Sequence, residues 1–147
     1  MKQYDVIIIG AGSIGLPAAM YLAEYKLKVL VIEDNEQNMY LVTFLLERHG
    51  FLVTPATDGQ EGIDKAAAEK PDLILLDIQL PKMDGYTVAR HLRENADLAA
   101  TPIVAVTSYA MAGDRDKALA VGCNGYIEKP INPDTFIQQV EQHLIMD

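Results

Sequence analysis

The sequence predicts an α/β protein: a three-layer, doubly wound parallel sheet of six strands, built as a single domain over residues 1–147. Two observations predict it. Short apolar runs recur down the whole chain, and a stretch of helical periodicity follows each one, the alternation expected of βαβ units. Several runs are apolar at nearly every position rather than at every second one, as in strands buried on both faces.

The expected strands are 6–9, 28–32, 51–54, 73–76, 103–106 and 126–127, and the expected helices lie near 13–25, 36–49, 59–69, 85–94, 112–121 and 133–145. In the second helix Met39, Val42 and Leu46 fall three and four apart, which places them on one face. Gly50 stands where a helix C-terminal glycine belongs. Asn132 before Pro133 reads as an N-cap followed by proline at the first helical position. Pro55 directly after 51–54 argues that this strand lies at an edge.

A net charge of −9 disfavours nucleic acid and anionic membranes as partners, because both attract basic surfaces. A single cysteine, Cys123, excludes an intrachain disulfide and fits a small buried filler in a reducing compartment. The run 6–9 is interrupted by Gly10 and is too short to span a bilayer or to form the apolar part of a signal peptide, so a soluble cytoplasmic protein is expected. His49, His91 and His143 lie on helical patterns without metal-ligand spacing and read as surface or packing residues.

Chemistry concentrates at strand ends. Glu33-Asp34 closes the second run, Asp77 closes 73–76 and is followed by Ile78-Gln79-Leu80-Pro81, and Asp84-Gly85 opens a helix. Thr107 follows 103–106, and Lys129-Pro130 follows Tyr126. With these residues in this order, the part from 28 to 147 resembles a response-regulator receiver domain. The resemblance implies that Asp77 accepts a phosphoryl group from a histidine kinase or phosphotransfer protein. It implies that Glu33, Asp34, Asp77 and the main chain of Gln79 hold Mg²⁺, that Thr107 and Lys129 contact the phosphoryl oxygens, and that Tyr126 reports the switch. The residue types suit this chemistry. A carboxylate attacking an anionic phosphorus needs its charge neutralised by a cation and a lysine, and transfer then depends mainly on positioning and electrostatics.

Residues 1–33 carry a different signature: a strand, Gly10-x-Gly12-x-x-Gly15, a helix, and Glu33 at the end of the next strand. This resembles the opening βαβ of FAD-dependent oxidoreductases. Gly10 permits the tight turn, Gly12 lets a pyrophosphate approach the backbone, Gly15 lets helix and strand pack closely, and Glu33 would accept hydrogen bonds from an adenosine ribose. FAD or NAD is the cofactor class implied. Nothing downstream resembles the later flavin-contacting segments or a substrate domain, so no enzyme is expected.

The strand 28–32 thus belongs to both parts, and the short connection 25–27 leaves the extra strand two places. It either wedges between the receiver's first and third strands or lies at an outer edge, unless the segment is displaced altogether. The all-apolar run 6–9 favours the wedge, which converts a flavodoxin-like order 2-1-3-4-5 into the Rossmann-like order 3-2-1-4-5-6. An inserted strand would carry Glu33 and Asp34 about 4.8 Å further from Asp77 and split the site. A truncated flavoenzyme fingerprint ahead of a receiver-like part makes the sequence read as an engineered chimera, a nucleotide-loop βα unit (1–27) joined to a receiver-like part (28–147), and the split site makes it one without native activity. The alternatives are a working phosphoacceptor domain, if the extra strand does not wedge, and a weak adenine (di)nucleotide-binding module.

Overall fold

A computed structural model of the chain describes residues 26–108 and 112–144. Among these residues the strands are β1 (Lys28–Ile32), β2 (Leu52–Ala56), β3 (Leu73–Asp77), β4 (Ile103–Thr107) and β5 (Gly125–Glu128). The helices are α1 (Glu36–Arg48), α2 (Gly59–Glu69), α3 (Gly85–Glu94), α4 (Ala112–Ala120) and α5 (Phe136–Glu141), with a 3-10 turn at Ala96–Leu98. All strand pairs are parallel, in the order β2-β1-β3-β4-β5.

The expected order 3-2-1-4-5-6 does not occur. β1 lies directly against β3, with Val29 opposite Leu73, Leu30 opposite Ile74, Val31 opposite Leu75 and Ile32 opposite Leu76. The described sheet is five-stranded and flavodoxin-like. The pair is clamped at its N-terminal end, where the Lys28 amide donates to the Asp72 carboxylate at 2.8 Å and the Asp72 amide donates to the Lys28 carbonyl at 2.8 Å. No position remains between them for another ladder. An all-apolar run such as 6–9 reports burial on both faces but says nothing about which neighbours a strand takes. That run, Gly10, Gly12, Gly15 and the helix expected near 13–25 lie outside the described residues.

Strand periodicity divides the core in two. Val29, Val31, Leu73, Leu75, Val104 and Val106 face α1 and α5, meeting Leu46, Phe136 and Val140. Leu30, Ile32, Ile74, Leu76, Ile103 and Ala105 face the opposite layer, meeting Ala66, Val88, Leu92 and Ala118. Packing is close enough that a Cβ on Gly62 of α2 would come within 2.7 Å of Ile32 Cγ1. Pro55 sits within β2, where the missing N–H is tolerated because the strand is at an edge.

Caps set where the helices begin, and thereby shape the loops at the C-terminal ends of the strands. Asn35, Asp58 and Asp84 each accept a hydrogen bond from the third residue on, at 2.9, 2.8 and 2.9 Å, fixing the starts of α1, α2 and α3. α1 ends in a Schellman turn: Gly50, at φ +88°, donates to Glu47 O and Phe51 donates to Leu46 O. The last helix starts at Phe136 rather than Pro133. Asn132 still serves this corner, its side chain accepting from the Asp134 amide and its carbonyl from Thr135 and Phe136, but residues 133–135 form a turn. No helix among the described residues is long and apolar enough to cross a membrane.

Candidate functional site

Parallel strands bring their C-terminal ends to one edge of the sheet, where β1 and β3 lead in opposite directions and leave a crevice. Glu33 and Asp34 leave β1 there, Asp77 ends β3, Thr107 ends β4, and Lys129 follows β5. Glu33, Asp77 and Thr107 are the buried polar residues of the described chain, at 4, 3 and 2% exposure. Because β1 adjoins β3, the acidic pair is not carried away from Asp77. Ligand oxygens of Glu33, Asp34 and Asp77 lie within 4.8 Å of one another, and the expected split site is corrected accordingly.

Lys129 is the cation of this cluster. Its Nζ lies 2.9 Å from Glu33 Oε1 and 3.4 Å from Asp77 Oδ2, with a side chain only 10% exposed. The Lys129-Pro130 peptide is cis. The Gln79 amide donates to Asp77 Oδ1 at 3.0 Å, and the Asn35 amide to Glu33 Oε2 at 3.1 Å. One ammonium thus faces two buried carboxylates, with a third exposed at the rim. Burial, reinforced by neighbouring Glu33, raises the Asp77 carboxyl from 3.8 to about 6, against the opposing pull of Lys129 and the Gln79 amide. The crevice is short of positive charge.

Carboxylate oxygens close together, with open solvent at Asp34, form the hard donor set that Mg²⁺ favours, and the residues present fit that ion. They do not favour a nucleotide. Glu33, expected to meet a ribose, is buried and ion-paired to Lys129, and neither FAD nor NAD finds support in the described residues.

Two contributions escaped the sequence reading. The Gln79 side chain, not only its main chain, enters the site: Nε2 donates to Thr107 Oγ1 at 2.6 Å and Oε1 accepts from the Ser108 amide at 3.2 Å. Its signal was slight, a polar amide two positions after a strand-end aspartate. Gly85, quoted only as part of Asp84-Gly85, supports the loop from below; a Cβ there would come within 2.6 Å of both Asp77 O and Ile78 Cα. Tyr126 is half-buried on β5 and packs against the same core cluster as Tyr86. Cys123 is buried, as a filler would be, and burial pushes its thiol up to about 11.

The family described as Response regulator receiver domain matches residues 29–141. The chain belongs to the response-regulator receiver family. A shorter match, to the family described as FAD dependent oxidoreductase, is confined to residues 5–39. The polar-differentiation response regulator DivK of Brucella anthropi is 40% identical over 116 residues, covering 79% of this chain and 94% of that protein. Chemotaxis protein CheY4 of Vibrio cholerae has a similar structure, with a TM-score of 0.79 at 29% identity over 82% of this receiver chain and 100% of that one. The receiver domain of the sensor histidine kinase PA1611 from Pseudomonas aeruginosa, solved with a magnesium ion in its active-site cleft, gives 0.76 at 31% identity, covering 82% and 98%.

Proposed function

We propose that this receiver domain is a working phosphoacceptor in a phosphorelay, with Asp77 as the residue modified. The observation that carries the reading is the Lys129 ammonium held between Glu33 and Asp77 at the mouth of an unsplit acidic site. The expectation of lost activity rested on a separated site, and β1 beside β3 removes that basis.

The donor would be a phosphohistidine on a kinase or phosphotransfer protein. An Asp77 carboxylate oxygen attacks phosphorus, an O–P bond forms as the donor's N–P bond breaks, and the electron pair returns to the imidazole, which takes a proton from solvent. Glu33, Asp34, Asp77 and the Gln79 main-chain carbonyl would hold Mg²⁺, which when bound would supply charge neutralisation at the site. Lys129 supplies the second positive charge, in a buried setting where it is worth more than in water. The Gln79 amide holds Asp77 Oδ1, which fixes the orientation of the carboxylate before attack. The Thr107 hydroxyl, at the end of the neighbouring strand, would serve the phosphoryl oxygens. Beside the crevice, α1 exposes Tyr40 and Phe44 as a stacked pair, 74 and 48% accessible, an apolar surface on which a donor protein can seat.

The test is Mg²⁺-dependent labelling of the full chain by acetyl phosphate, detected as an acid-stable, base-labile adduct by mass spectrometry. Labelling at Asp77, lost in Asp77→Ala and on chelation, is expected. A folded protein that takes no label at millimolar donor overturns the reading.

A further inference from the structure

We propose that the Gln79 side chain is a placeholder, which holds the Ser108 amide and covers Thr107 Oγ1 at the end of β4 in the unmodified domain and must be expelled when Asp77 is modified. The inference rests on the phosphoacceptor reading above and deepens it. The orientation of the carboxamide is fixed by chemistry. The Ser108 backbone amide can only donate, so the Gln79 oxygen must face it, and the Gln79 nitrogen then faces Thr107 Oγ1. One side chain therefore ties together the two donors at the end of β4, at 2.6 and 3.2 Å, while its own backbone amide rests on Asp77 Oδ1 at 3.0 Å.

A phosphoryl group on Asp77 brings three acceptor oxygens and no donor. Lys129 is already shared with Glu33. Among the described residues the end of β4 offers the Ser108 N–H and the Thr107 hydroxyl, and the carboxamide oxygen holds the first while its nitrogen is bonded to the oxygen of the second. Gln79 is half-buried, so rotation about its own torsions can take the carboxamide into solvent with its backbone amide still on Asp77. Two hydrogen bonds are broken in that exchange, which weights the resting state against phosphorylation by at least about fivefold.

Beryllofluoride, a non-covalent tetrahedral mimic of the phosphoryl group, gives the test in the presence of Mg²⁺, with affinity followed by NMR titration of the full chain. Gln79→Ala and Gln79→Leu should each bind it at least about fivefold more tightly than the wild type. The leucine variant keeps the bulk and removes the bonds. In the wild type the Gln79 side-chain amide protons should exchange slowly before beryllofluoride is added and quickly after, a signature that a purely structural glutamine would not give. Wild-type binding with unchanged or weaker affinity in both variants, or side-chain protons equally protected in both states, overturns the placeholder alone. Failure of the wild type to bind at all overturns the phosphoacceptor reading with it.

Discussion

The two ends of the sheet use polar groups in opposite ways. At the N-terminal ends of the strands Asp72, Arg93 and Asn124 close structural bonds. Asp72 ties β3 to β1 through Lys28, and Arg93 donates to Gly122 O, Leu98 O and Asn124 Oδ1 at 2.9, 2.7 and 2.7 Å. Asn124 in turn accepts from the Ile103 amide at 2.9 Å, so one carboxamide aligns the starts of β4 and β5. At the C-terminal ends, Glu33, Asp34 and Asp77 outnumber Lys129, and burial raises the Asp77 carboxyl instead of satisfying it. One end of the sheet stabilises the fold. The other holds an excess of negative charge that an added cation or protonation of Asp77 relieves.

Breaking the structural end should have the largest effect on stability. Arg93→Ala removes three hydrogen bonds together with the stem that packs under Gly122, where a Cβ would come within 2.6 Å of Arg93 Cγ. It leaves two carbonyls and an amide oxygen to find water. A loss of about 3–4 kcal/mol in unfolding free energy is expected by urea denaturation, with phosphodonor labelling of the folded fraction unchanged. A loss below about 1 kcal/mol would show that these bonds are incidental.

The functional end should respond with the opposite sign. Asp77 has a folded-state value near 6, above its ordinary 3.8, so between about pH 4 and 6 the unfolded chain releases the proton while the folded chain retains it. Folded stability therefore falls as pH rises through that window and levels off above it. Asparagine at this position never ionises. In chelator, Asp77→Asn should be more stable than the wild type above pH 6, by up to about 3 kcal/mol, and should lose that advantage below pH 4. Thermal melts at pH 3.5 and 7.5 measure it, and Mg²⁺ should stabilise the wild type more than the variant. A variant that is less stable at both pH values would mean that the site is not strained.

This division explains what could be read from the chain alone. Runs such as 73–76 and 103–106 gave correct strands because period and burial are local properties of sequence, and strand ends then located Glu33, Asp34, Asp77, Thr107 and Lys129 at one edge. Strand order is not local. The all-apolar run 6–9 pointed to a wedge that the β1–β3 ladder excludes, and the Asp72–Lys28 clamp that closes this ladder has no sequence period. The Gln79 bridge was illegible for the same reason. A loop amide takes its partner from another strand, here Thr107, twenty-eight positions away.

Gly85 joins the two regimes and carries the smallest expected effect. It opens α3 against the loop that follows Asp77, its amide donating to Ile78 O at 3.0 Å. A Cβ would meet Asp77 O and Ile78 Cα at 2.6 Å, and both are backbone atoms, so the collision cannot be relieved by turning a side chain. Gly85→Ala must lift the loop or push back the helix, at about 1–2 kcal/mol. The diagnostic is where the strain goes. If the loop moves, Asp77 shifts against Lys129 and the Gln79 amide, and labelling slows by more than the stability loss accounts for. Should labelling keep pace with the wild type while denaturation shows the loss, the helix has yielded and the loop is held from above by the site's own bonds.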